Sequence, residues 1–413
     1  MANSQKLPHA PLEIKQPVNI SSKVFAEHKY EYYKRLQEEA PVCKGKISVI
    51  NAYFLSRYDD CVNFLKDPRF VRDRSTATGG GKFPIPVPKS VALLSQSMIT
   101  EDEPDHRRLR DLVQQAFTRR QLAKLRDRID HLTHRLLDEV EPQATIDLKQ
   151  AYALPIPVTV IQEMVGVADD DMPRFYTGIR ALSNELSGWM LLRTLLWDIP
   201  RLSKFVRSLV ERKRAVPQDD ILTQLIQAEA AGEALSKDEL VSMVFLLIFA
   251  GYETTVHLIT NGVSALLQHP DQLARLRAEP QLMESAVEEI LRYCGPVQST
   301  KPGYALEDVV LHGITIPQGA AVFPLLGAAN RDPTVFKHPE VFDIARSPNK
   351  HLGFGSGIHA CLGAPLARME TQIALTNLLA RSPNLRLAVD PSALELSHVP
   401  LWHRYKRLPV VLQ

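Results

Sequence analysis

The sequence predicts a mainly α-helical protein with small β-sheets. Apolar residues recur at helical spacing through most of the 413 residues. Stretches rich in β-branched residues are few and short. No repeat, low-complexity tract or obvious linker interrupts the chain. Hydrophobic residues make up 45% and charged residues 23%, the balance of a soluble globular protein with a large core. The chain exceeds the usual single-core size of about 250–300 residues, so it needs either several domains or one large fold built round something else. With no linker to divide it, the expectation is one domain over 1–413, with 1–20 an irregular N-terminal segment.

In chain order, helical periodicity predicts helices over 22–39, 104–117, 120–140, 151–165, 170–186, 197–213, 219–230, 236–267 and 282–293, with another over 364–379. Alternating or β-branched runs predict strands at 47–55, within 309–322, and at 385–389 and 408–412. Pro296, Pro302, Pro317 and Pro324 make 295–327 the least helical long stretch. Two segments stand apart in composition. Residues 76–89 carry Gly79, Gly80, Gly81, Pro84, Pro86 and Pro88, and residues 184–200 carry Trp189 and Trp197 among leucines. Each reads either as an ordinary surface loop or as a functional segment.

A net charge of +2 points to neither nucleic acid nor an acidic membrane as partner. Cys43, Cys61, Cys294 and Cys361 lie far apart, without the pairwise spacing of a zinc clip, and sparse cysteine fits a reducing cytoplasm. The polar, proline-rich stretch 1–18 lacks the apolar centre of a signal peptide or anchor. The longest apolar run, 243–251, is short of the ~20 residues that span a bilayer. The expectation is a soluble cytoplasmic protein with no membrane anchor.

The chemistry concentrates at Cys361, in Phe354-Gly355-Ser356-Gly357-Ile358-His359-Ala360-Cys361-Leu362-Gly363. Glycines let backbone turn tightly and approach a flat ligand. A thiolate at the start of the following helical run is partly stabilised by backbone N–H groups. A thiolate ligand to haem iron needs that setting; the alternative is an inert buried cysteine. A second cluster interrupts the long helix, where Phe249-Ala250-Gly251-Tyr252-Glu253-Thr254-Thr255 places a glycine, an acid and two threonines beside an apolar run. Mid-helix glycine costs about 1 kcal/mol relative to alanine, and buried polar groups need partners. Three local penalties in one place suggest function; the alternative is a solvated Glu and a back-bonded Thr. Glu289 and Arg292, three apart on a helix, are able to pair, and so far resemble any surface salt bridge. His106 and Arg110, four apart, share a helix face.

The pattern Phe-x-x-Gly-x-His-x-Cys-x-Gly closely resembles the haem-binding loop of the cytochrome P450 monooxygenases. The resemblance runs from about Tyr32 to the C-terminus. It takes in the Ala-Gly-x-Asp/Glu-Thr segment around Thr254, the Glu-x-x-Arg of Glu289 and Arg292, the His-x-x-x-Arg of His106 and Arg110, and the segment from Asn330 to Arg346. It implies the cytochrome P450 fold, with haem b between the long central helix and the cysteine loop and its helix. By this resemblance Cys361 is the iron ligand, framed by Phe354, Gly355 and Gly363. Ala250 lies beside the cofactor. The central helix widens to hold dioxygen, Thr254 hydrogen-bonds that dioxygen (with Thr255 the second choice) and Glu253 relays protons to it. His106, Arg110 and His359 hold the haem propionates, and Glu289, Arg292 and Arg346 form a buried structural triad.

One departure concerns the propionates. Members of the family carry an arginine in a context like Arg-x-Ala-x-Glu-Asp, and here that context is Gly303-Tyr304-Ala305-Leu306-Glu307-Asp308. Lys301 is the expected substitute. The substrate pocket implied by the resemblance takes Leu246, Ala250, Val297, Gln298 and Leu401, with parts of 76–98, 184–197 and 399–402. Its apolar character favours a lipid, terpenoid, steroid or macrolide-like compound. The reaction implied is hydroxylation or epoxidation with O2 as co-substrate. Electrons come ultimately from NAD(P)H through an external ferredoxin or flavodoxin and its reductase, because the chain has no room for a flavin domain. Arg107, Arg108, Arg119 and Arg120 are the expected docking patch on a monomeric protein. The rival readings are an H2O2-driven peroxygenase of the same fold and a haem-binding sensor or carrier without turnover.

Overall fold

The structure, a computed structural model, describes residues 16–412 apart from 83–87, 89–91, 93–96, 117–118, 141–143, 176, 178–192 and 231–234. Its axis is the helix Lys237–Gln268, 32 residues long, or ~48 Å at 1.5 Å per residue. Ser236 starts it with a reciprocal cap. Its hydroxyl accepts from Glu239 N–H at 3.2 Å, and its own N–H donates to Glu239 Oε2 at 2.7 Å. The helix is apolar on almost every side, and such a helix belongs in a core or a membrane. By length and composition it is able to cross a membrane, but 72% of its most apolar window is buried inside this protein. Around it pack Pro155–Val165, Ile199–Ala215, Met283–Cys294 and Ala364–Arg381, and their apolar faces make the largest core cluster.

The N-terminal region and the middle of the chain share a mixed sheet. Its strands are β1 (Val18–Asn19), β2 (Val42–Ile47), β3 (Ile50–Leu55), β4 (Phe70–Val71), β6 (Gly303–Ala305) and β9 (Ala321–Pro324), in the order β1-β2-β3-β9-β6-β4. β2 and β3 form an antiparallel hairpin, β3 runs parallel to β9, and β6 is antiparallel to both β9 and β4. β5 (Thr145–Asp147), β10 (Arg386–Leu387) and β11 (Pro409–Val411) form a second sheet. β7 (Val309–Leu311) and β8 (Ile314–Ile316) form a third.

Several expectations are refined. The helix 22–39 divides at His28 into Lys23–Glu27 and Lys29–Glu39. The helix 151–165 begins as a π-helical turn, Lys149–Ala153, and continues from Pro155, which needs no N–H partner in a first turn. The strand at 47–55 is one arm of a hairpin beginning at Val42. Tyr58–Phe64, Arg74–Thr78 and Pro270–Ala278 are additional helices, too short for a period to show. Most of 170–186, and much of 76–98 and 184–197, lies outside the described residues.

Candidate active site

Cys361 differs from the other three cysteines. Cys43, Cys61 and Cys294 are buried, and Cys361 alone has an exposed side chain. Burial pushes Cys43 and Cys294 up to about 12, so they are inert thiols. The Cys361 loop is built by hydrogen bonds and glycines. Cys361 N–H donates to Phe354 O at 2.9 Å. Gly357 has φ +72, and a Cβ there would lie 2.3 Å from Leu65 O, so only glycine fits. Gly355, with φ +70, makes the other left-handed turn. The Phe354 ring lies under the Arg368 guanidinium at 4.6 Å. Arg368 in turn donates to both oxygens of Glu288 at 2.6 and 2.7 Å. Burial pushes the Cys361 thiol up, against the N–H groups of Gly363 and Ala364 and the charges of Arg110 and Arg368. A side chain with open surface that is nevertheless desolvated faces an interior cleft rather than bulk water.

The same combination marks Lys301, exposed yet held below the usual lysine range by surrounding protein and by Arg72. His106 and His359 meet edge to face at 4.3 Å between ring centroids. His106 Nδ1 and His359 Nε2 are buried without a hydrogen-bond partner among the described residues; Glu103 stays 3.6 Å from His106 Nδ1. Burial, with Arg72 nearby, brings His359 down to about 3. Arg72, Arg110 and Lys301 have no carboxylate within ion-pair distance among the described residues. The cleft therefore holds a bared thiol, three cations and two imidazoles with free nitrogens. That donor set fits haem, which carries two carboxylates and an iron that accepts a thiolate.

One strip of the central helix is open although its surroundings are buried. Phe249 and Ala250 are exposed and Leu246, Gly251 and Thr254 half-buried, between buried Ile248, Tyr252, Glu253 and Thr255. Thr254 Oγ donates to Ala250 O at 2.8 Å. The helix stays α-helical throughout, without the widening implied by the resemblance. Gly251 has a packing reason, since a Cβ there would sit 2.3 Å from Ile161 Cδ1. Thr255 is buried and donates to Gly251 O at 3.4 Å, and its hydroxyl favours the buried Glu370 carboxylate on the helix that follows Cys361. Glu253 also points away from the open strip. Its Oε1 accepts from Arg404 Nη1 at 2.5 Å and lies 3.3 Å from His257 Nε2.

Glu289, Arg292 and Arg346 converge. Arg292 donates to both Glu289 oxygens at 2.7 and 2.8 Å, and Arg346 Nε reaches them at 3.1 and 3.2 Å. The other Arg292 N–H groups go to backbone carbonyls of Asn330, Pro339 and Val341, and those of Arg346 to Lys337, His338 and Val341, so the buried charges are paired and satisfied.

One pocket expectation changes. Gln298 is 3% exposed. Its amide donates to Gly295 O at 2.6 Å and accepts from Tyr33 at 3.4 Å, so it belongs to the framework rather than to a pocket wall. Leu401 packs against the N-terminal cluster around Tyr33, and Val297 sits in a β-bridge with Trp402. The docking patch also changes. Arg108 is bound by Asp105 at 2.7 Å and Glu239 at 2.6 Å, and Arg107 pairs with Glu103 at 3.1 Å; the side chains of Arg119 and Arg120 lie outside the described set. Sequence reasoning missed Arg72, His257, Glu370 and Arg404. No local motif marks them, because each acts on a partner distant in the chain or one helical turn away without a recognisable pattern.

A family model described as Cytochrome P450 matches residues 18–383. Cytochrome P450 CYP107DY1 of Priestia megaterium is 42% identical over 395 residues, which cover 92% of this chain and 95% of that protein. The solved structure of the bacillaene polyketide synthase cytochrome P450 PksS of Bacillus subtilis is similar with a TM-score of 0.88 at 37% identity, covering 95% of this chain and 99% of that one. The structure of P450BioI in complex with a hexadec-9Z-enoic acid-ligated acyl carrier protein has a TM-score of 0.85 at 36% identity, covering 94% of this chain and 100% of that one.

Proposed function

The chain belongs to the cytochrome P450 family, and from that premise we propose that Cys361 is the iron ligand of a single catalytic domain spanning 1–413. The protein is a monooxygenase with haem b as cofactor and O2 as co-substrate, acting on apolar organic compounds. When bound, haem supplies the reductive activation of dioxygen. Every other task falls to the chain. The observation that carries the Cys361 assignment is its bared thiol, opening into a cleft that is otherwise cationic.

His106, Arg110, His359 and Lys301 would hold the cofactor carboxylates, with Phe354, Gly355 and Gly363 shaping the loop beneath. Ala250 keeps one wall flat. Leu246 and Phe249 extend that wall as apolar surface, which excludes water and receives a lipophilic substrate. Thr254 has its hydroxyl on the open strip and needs only a χ1 rotation from Ala250 O to offer a proton into the cleft. Glu253 is the proton carrier. In the structure it rests on Arg404 and His257, so delivering a proton requires the carboxyl to leave Arg404 and swing toward Thr254. Glu289, Arg292 and Arg346 hold the segment before the cysteine loop in place and do no chemistry.

Family members take electrons from a redox partner. For this chain we propose a small ferredoxin or flavodoxin, reduced from NAD(P)H by its own reductase, and a monomeric, cytoplasmic enzyme. The relatives named for polyketide biosynthesis and solved with an acyl carrier protein make a polyketide or long acyl chain the first substrates to screen. Reduced holoenzyme exposed to CO tests the ligand. Wild type should absorb near the wavelength that names the family, and Cys361→Ala should lose that band. A full band in the variant would sink the assignment.

A further inference from the structure

We propose that Arg72 is the principal cation for a cofactor carboxylate, placed across a β-ladder from the position where the family pattern carries its arginine. This rests on the haem reading above. β4 and β6 are antiparallel, with Phe70 opposite Ala305 and Val71 opposite Tyr304. Arg72 follows Val71 directly, at the bend where β4 ends, so continuing that register by one step brings it alongside Gly303. Directly opposed residues of an antiparallel ladder project to the same face. The positive charge missing at 303 therefore reappears at the end of the neighbouring strand.

Gly303 itself has no room for a side chain. A Cβ there would lie 2.8 Å from Phe64 Cζ and 3.1 Å from both Phe64 Cε2 and Phe70 Cβ. The Phe64 and Phe70 rings fill that space, 4.8 Å apart. Phe70 belongs to the strand that delivers Arg72, so the glycine and the relocated arginine are two consequences of one packing arrangement.

Arg72 is anchored for the task. Its N–H donates to Asp102 Oδ1 at 2.7 Å, and the next N–H, of Asp73, donates to Oδ2 at 2.9 Å. The Asp102 carboxylate is thus engaged by backbone. The guanidinium donates through Nη1 to the carbonyl of Lys301, which ties it beside a second cation. Among the described residues no carboxylate lies within ion-pair distance of either group. Burial brings Arg72 down to about 10, against a partial pull from the nearby Asp102 carboxylate. Two neighbouring desolvated cations with no carboxylate in ion-pair contact call for an anion. A guanidinium with free N–H groups grips a carboxylate in two-point fashion, as the more flexible ammonium of Lys301 cannot.

The test uses holoenzyme and two readouts other than turnover: the rate at which excess apomyoglobin captures the haem, and the midpoint reduction potential. Arg72→Gln keeps a donor for the Lys301 carbonyl but removes the charge. It should speed haem loss roughly ten- to hundredfold and lower the potential, because the reduced state loses a compensating cation. Lys301→Ala should do less. Arg72→Lys should recover much of the retention. Wild-type haem retention in Arg72→Gln, or a deficit in Arg72→Lys as large as in Arg72→Gln, overturns the proposal. The CO band of the wild type separates the two readings. Its absence defeats the haem-thiolate assignment itself, whereas an intact band with an unaffected Arg72→Gln defeats only the role of Arg72.

Discussion

Glu253 and Arg404, 151 positions apart in the chain, meet at 2.5 Å in the interior, with His257 completing the contact one helical turn beyond. Both partners are buried. Lys149, held below the usual lysine range by burial, adds its field. The acid on the central helix is thus a structural ion pair as well as a candidate proton carrier.

This dual role has a measurable consequence. Glu253→Gln should lower turnover and also destabilise the protein by about 3–5 kcal/mol, because it strands the Arg404 charge in the core. Adding Arg404→Met should restore most of the stability without restoring turnover. Thermal unfolding and product formation, measured on the two variants, separate the roles. Recovery of turnover in the double variant would mean that Glu253 acts only as a counter-ion.

Thr254→Ala should leave substrate-binding spectra intact and divert electrons from product to peroxide, with product per electron falling about a hundredfold, the lower end of the range for removing a positioned proton donor. Thr255→Ala should behave differently. Its hydroxyl donates to Gly251 O at 3.4 Å and favours the nearby Glu370 carboxylate, so about 1 kcal/mol of stability is lost while coupling is kept. Peroxide and product assayed together decide it; uncoupling by Thr255→Ala alone would exchange the two assignments.

Glu370 gives the enzyme a pH dependence of stability. Burial pushes its carboxyl from the usual 4.5 up to about 8, against the pull of the Thr255 hydroxyl, and Oε1 has no partner among the described residues. Between those values the unfolded chain ionises Glu370 while the folded protein keeps it protonated. Stability therefore falls as pH rises through the window. Glu370→Gln cannot ionise, so its advantage over wild type should grow from pH 5 to pH 8, by up to a few kcal/mol at about 1.4 kcal/mol per unit. Urea melts across that range check the trend. An advantage that shrinks with rising pH contradicts it.

Arg292→Ala should cost about 3–5 kcal/mol by leaving Glu289 short of a buried partner. The Asn330 and Pro339 carbonyls would lose the Arg292 donor as well, while Val341 O keeps Arg346. The expected result is poor haem incorporation with no change in substrate preference among molecules that do load. Thermal melts and the haem-to-protein ratio report it.

What the sequence determined by itself is local. The helices of the core declare themselves by period, and the central helix is bounded to within a residue because an apolar run of that length has few places to go. Cys361, with its glycines, and the pair Glu289 and Arg292 are legible because turn geometry and helix spacing act over a few residues. What only the tertiary structure decided are relationships across the chain. Gln298 looked available for a pocket until Tyr33 and Gly295 took its amide. Arg108 looked free for a partner until Glu239 arrived beside it. Arg72 carries no signal of its own, since its meaning comes from the pairing of β4 with β6, and Arg404 reaches Glu253 only because the C-terminal segment returns along the central helix. Strand register and long-range burial are set by the summed packing of many residues, and no short window of sequence contains that sum.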